Sequence, residues 1–78
     1  MSDKFEQMDT YEKRFGNIAI EKGFITPEKL SEALNLQIME EVKEGSHRLI
    51  GEVLFDLEYI TFEQVEEVLS ELYQLRAT

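Results

Sequence analysis

A chain of 78 residues, 42% of them apolar and 32% charged, has material for one core and a well-solvated surface. It has no cysteine, which excludes disulfides and thiolate chemistry and makes a reducing compartment the expectation. Seventeen acids against eight bases leave a net charge of −9, which repels a phosphate backbone and argues against nucleic-acid polymers as partners.

The first apolar stripe runs through Phe5, Met8, Tyr11, Phe15, Ile18 and Ala19 at spacings of three and four, one face of a helix. The spacing predicts a helix over 10–22, with residues 1–9 frayed or extending it, and Gly23 as its left-handed cap. Thr26-Pro27-Glu28 then reads as a helix start. The threonine hydroxyl can cap, proline fits the first helical position, and the acid faces the positive end of the dipole. Ile25 and Leu30 form a hydrophobic staple across that cap. Leu30, Ala33, Leu34, Ile38 and Val42 trace the second stripe, which Gly45 stops; Ser46 is a candidate cap for the third helix.

That third helix is expected from Arg48 to Leu57, with Leu49, Ile50, Val53, Leu54 and Leu57 facing inward. Thr61-Phe62-Glu63-Gln64 is a capping box, with Ile60 and Val65 as its staple. Val65, Val68, Leu69, Leu72 and Tyr73 form the fourth stripe. No apolar run exceeds three residues, as at Ile18-Ala19-Ile20, so no membrane span is expected. The first six residues lack a basic flank leading into an apolar run, so no secretory signal is expected, and the expected location is cytoplasmic.

The two halves correspond. A shift of 35 residues places Gly16 on Gly51, Ile25 on Ile60, Thr26 on Thr61, Glu28 on Glu63, Glu32 on Glu67 and Leu34 on Leu69. The expected architecture is all-α: one domain over 10–76, built from two helix–turn–helix units at 14–38 and 49–73 that stack to hide a shared apolar seam.

Arg14-Phe15-Gly16-Asn17-Ile18-Ala19, Gly23, Leu30, Leu34 and Gln37 resemble the tandem-motif N-terminal domain of type II secretion and type IV pilus assembly ATPases. The resemblance covers residues 14–73. It implies a docking domain that tethers its protein to a larger apparatus, and in members with both motifs it implies cyclic di-GMP binding. Carried onto this chain, it marks Arg14, Gly16, Gly23 and Gln37 in the first motif and Arg48 and Gly51 in the second as ligand residues. An arginine can bond a phosphate or a guanine edge in bidentate fashion, and a glycine admits close approach to the backbone. The second motif departs from the pattern. Leu49 stands where Arg14 has its counterpart, Glu58 replaces the glycine, and Leu72 replaces the glutamine.

Two functions are expected. The first is a non-enzymatic regulatory or protein-interaction module with a protein partner and no cofactor; the second is a cyclic di-GMP sensor using mainly the first motif. His47, the only histidine, has no partner His or Cys for a metal site and is expected to be exposed. The glutamates at 40, 41 and 44, and at 63, 66, 67 and 71, read as solvated helix faces. Phe5, Phe15, Phe24, Phe55, Tyr59 and Phe62 are expected in the core or the staples. No catalytic constellation is signalled, so no enzyme activity is expected.

Overall fold

The computed structural model describes residues 10–77. They form four helices and no strand: α1 (Thr10–Glu21), α2 (Pro27–Glu44), α3 (Ile50–Asp56) and α4 (Phe62–Ala77). The fold is all-α, as the sequence periodicity requires. The expectations for residues 1–9, including Phe5 and Met8 of the first stripe, lie outside the described residues. No helix is long and apolar enough to cross a membrane among those described.

Local chemistry sets most of the boundaries. Thr26, in extended backbone, accepts a hydrogen bond at Oγ1 from the Lys29 amide at 3.2 Å, and Pro27 opens α2. Gly45, at φ 70°, ends it by donating to the Glu41 carbonyl. At the start of α4 the Gln64 amide donates to Thr61 Oγ1 at 3.1 Å, while the Thr61 amide donates to Gln64 Oε1 at 2.9 Å. This is the reciprocal box expected from the sequence.

The turns after α1 and α3 share one hydrogen-bond pattern. After α1, Gly23 donates to Ile20 and Phe24 to Ala19; after α3, Glu58 donates to Phe55 and Tyr59 to Leu54. Both turns need a left-handed residue, Gly23 at φ 80° and Glu58 at φ 64°. Glycine takes that conformation without strain; glutamate does not.

Helix α3 starts two residues later than expected, and Ser46 does not cap it. Leu49 occupies the cap position and has no side-chain acceptor. The unpaired amides of the first turn find carboxylates instead: Leu49 donates to Glu52 at 3.0 Å, and Ile50 donates to Glu12 of α1 at 2.9 Å. A seven-residue helix does not hold in isolation. It holds here because Ile50, Val53 and Leu54 are buried, each worth about 1.5–3 kcal/mol.

The core joins those three to Phe15, Ile18 and Ala19 of α1, Leu30, Ala33 and Leu34 of α2, and Val68 and Leu72 of α4. The closest helix pairs are α1 with α4 and α2 with α3, so each helix packs chiefly on one from the other half of the chain. Both staples are present, with Ile25, Leu30 and Ile60 buried and Val65 partly so.

Five residues expected on inward faces point outward. Val42 lies on the last turn of α2, residues 41–44, all of which are exposed. Leu49, Phe55, Phe62 and Tyr73 are also exposed. Of the other aromatics whose side chains are described, Phe15 is buried and Phe24 and Tyr59 pack against the core.

Candidate functional site

Helices α1, α3 and α4 meet around an apolar groove of about 310 Å³. Phe15 and Ile50, both buried, form its floor. Leu49, Phe55 and Phe62 stand at its rim, each about half exposed or more. Gly51 deepens it by lacking a side chain, which lets the Phe15 ring lie against α3: a Cβ there would sit 3.0 Å from Phe15 Cζ. A shallower hollow beside Phe55 and Phe62 is lined by Asp56 and Glu58. Rings exposed on this scale cost solvation in the free protein and repay it when another surface covers them.

Beneath the groove lies a polar junction. Glu12 is 3% exposed and Gln37 5% exposed, and both are internally bonded. Gln37 Nε2 donates to Glu12 Oε1 at 3.0 Å and to the Arg48 carbonyl at 2.6 Å, while Glu12 Oε2 accepts the Ile50 amide. The junction pins α1, α2 and the start of α3 together and orients the groove floor.

The sequence-marked residues fall in separate settings. Arg14 is exposed on α1, with no hydrogen bond or ion pair to another described residue. Gly16 is buried under Leu30, whose Cδ2 lies 3.0 Å from where a Cβ would be. Gly23 serves the turn after α1, with nothing within 4 Å of its missing side chain. Gln37 is committed to the junction. The Arg48 guanidinium bonds both oxygens of Glu40, at 3.0 and 2.8 Å, and also Asp56. Those bonds, Glu40's first, raise the Arg48 pKa above its ordinary value. Gly51 lies beneath Phe15. Thus Gln37 and Arg48 come together through the Arg48 backbone, and the Arg48 charge is already matched by two carboxylates.

His47 is exposed and lies 2.6 Å from Glu41 through Nδ1. Among the described residues, no group of three or more His, Cys, Asp or Glu is placed to hold a metal ion. Glu12 went unmarked in the sequence, although a signal was present. It shares the apolar face of α1 with Phe15, Gly16 and Ala19, at spacings of three, four and seven. An acid on such a face needs buried donors.

No family model, curated protein or solved structure matches the chain.

Proposed function

We propose that this domain is a non-enzymatic docking module that receives part of another protein in the groove between α1, α3 and α4. The observation that carries this reading is the exposure of Leu49, Phe55 and Phe62 around a concavity whose floor is held rigid by the Glu12–Gln37 junction. Large apolar side chains at the rim of a preformed hollow are the usual anchors of a protein interface. The likeness to the N-terminal domain of secretion and pilus ATPases agrees with such a role. Support for two repeated helix–turn–helix units comes from the turns after α1 and α3, whose hydrogen bonds correspond under the 35-residue shift.

The test is a comparative capture experiment from cell extract with three baits: wild type, the double variant Phe55→Ser/Phe62→Ser, and Arg14→Ala. The expected result is a set of proteins held by wild type and Arg14→Ala and lost by the double variant. Identical sets on all three baits overturn the reading.

A cyclic di-GMP sensor is the second reading, favoured by the exposed guanidinium of Arg14, unpaired among the described residues. Calorimetric titration decides it. Binding that Arg14→Ala weakens by about 1.5–3 kcal/mol, the worth of a charged hydrogen bond, supports the sensor. The absence of heat at high micromolar ligand eliminates it.

A further inference from the structure

We infer that the segment docking in this groove is an amphipathic helix of about three turns whose apolar stripe is bordered by lysine and arginine. This inference rests on the docking reading and adds the chemistry of the partner. Its geometry comes from α4. Phe62, Val65, Leu69 and Tyr73 succeed one another at helical spacings of three and four. Over eleven residues they make a stripe about 16 Å long at 1.5 Å per residue; Phe62, Val65 and Leu69 line the groove, and Tyr73 continues the stripe beyond it. Phe62 and Tyr73 are each 62% exposed, while Val65 and Leu69 reach partly into the core. Leu49 and Phe55 line the same groove from α3 and its cap. Two apolar walls of helical side chains with a hollow between them match the apolar face of a third helix, read by anchors at i, i+3 or i+4, and i+7.

The charge comes from the same surface. Glu12 and Glu52 line the groove, and no lysine, arginine or histidine does so among the described residues. Glu58 lines the adjoining hollow beside an Asp56 already paired with Arg48, and exposed Glu63 and Glu66 come next to Phe62 and Val65 on α4. With a net charge of −9 behind them, these carboxylates place a negative potential along the groove. A basic helix border complements that potential and speeds encounter. A second copy of the chain carries the same −9 and is repelled. Residues 1–9 carry Asp3, Glu6 and Asp9 against Lys4, so they too bring acid to an acidic rim.

The probe is a fluorescein-labelled synthetic peptide of about 18 residues, long enough to reach helical form when bound, with leucines on one face and lysines elsewhere. Its controls are the same leucine pattern with glutamates and a scrambled lysine peptide of identical composition. Anisotropy is expected to show the patterned lysine peptide binding at least about tenfold more tightly than either control. The affinity should fall as salt is raised. Phe55→Ser/Phe62→Ser, checked for retained helicity, should lose at least about tenfold, because its rings lie at the rim rather than in the core. Amide chemical shifts should move at Leu49, Gly51, Phe55, Phe62 and Leu69.

Equal binding of the scrambled peptide, or shifts remote from the groove, overturns the inference. So does sedimentation as a dimer that the double variant abolishes, or peptide binding that appears only after residues 1–9 are deleted. Failure of the lysine peptide, with capture by the wild-type bait still dependent on Phe55 and Phe62, refutes the partner's chemistry alone. Failure of both refutes the docking reading itself.

Discussion

Gln37 donates from its side-chain amide to the Glu12 carboxylate across 3.0 Å, tying the first turn of α1 to the middle of α2 inside the protein. The second oxygen of the same carboxylate takes the first amide of α3. One acidic side chain therefore serves as a strut between helices and as a helix cap.

Replacing Glu12 by alanine strands one N–H of the Gln37 amide, whose other N–H still donates to the Arg48 carbonyl, and the Ile50 N–H in a buried site. Each unsatisfied group costs about 1–3 kcal/mol, so urea denaturation should show a total loss of about 2–6 kcal/mol. Glu12→Gln keeps one acceptor and should lose less. In the double variant Glu12→Ala/Gln37→Leu the penalties should fall short of additivity, because the stranded amide has gone. Strict additivity would mean that the two side chains act independently.

Gly16 and Gly51 correspond in sequence but should respond differently to alanine. At Gly51 the new Cβ meets the buried Phe15 ring at 3.0 Å, and a ring 2% exposed has little room to yield. Overpacking of that kind costs about 1–3 kcal/mol, against a helix-propensity gain of about 1 kcal/mol, so thermal melting should show net destabilisation. At Gly16 the obstruction is the methyl end of Leu30, which can rotate, so Gly16→Ala should be closer to neutral.

Glu58 holds φ 64° with a side chain attached. Glu58→Gly relieves about 1–2 kcal/mol of left-handed strain and gives back part of it as chain entropy. It should therefore stabilise the domain by about 0.5–1 kcal/mol in chemical denaturation. Gly23→Ala, at φ 80°, should move stability the other way by about 1 kcal/mol. Destabilisation by Glu58→Gly would show that the glutamate side chain contributes more than its backbone costs.

Stability should decline in alkali. Hydrogen bonds from Lys22 to Glu71 and Glu67 raise the lysine pKa above its ordinary 10.5. A hydrogen bond to Glu32, assisted by burial, raises the Tyr59 pKa above 10.0. Both groups hold their protons more tightly when folded, so the folded state binds more protons than the unfolded state once pH passes the ordinary values. Their contribution is complete below about pH 10 and is lost as pH climbs through the raised values. Urea midpoints measured from about pH 8 to about pH 11.5 should fall above about pH 10, and Tyr59→Phe with Lys22→Met should flatten that fall.

The four helices, the caps of α2 and α4 and most of the core are encoded locally. Thr26, Gly45 and the Thr61–Gln64 box act on partners within four residues, so a linear reading reaches them. The apolar repeats likewise identify the inward faces of α1 and α2, because a stripe at helical spacing has one stable place to go.

The groove belongs to the tertiary structure. Glu12 caps a helix 38 residues away, and nothing near it in sequence shows where its donors are. The Arg48 guanidinium resembles an anion-binding group until the fold sets Glu40 and Asp56 against it, each eight residues off. Tyr73 lies on a stripe that periodicity marks as apolar, and Phe55 and Phe62 read as core or staple aromatics, yet α3 is only seven residues long and all three side chains stay exposed. Periodicity states which side chains avoid water; the packing of one helix on another decides which of them succeed.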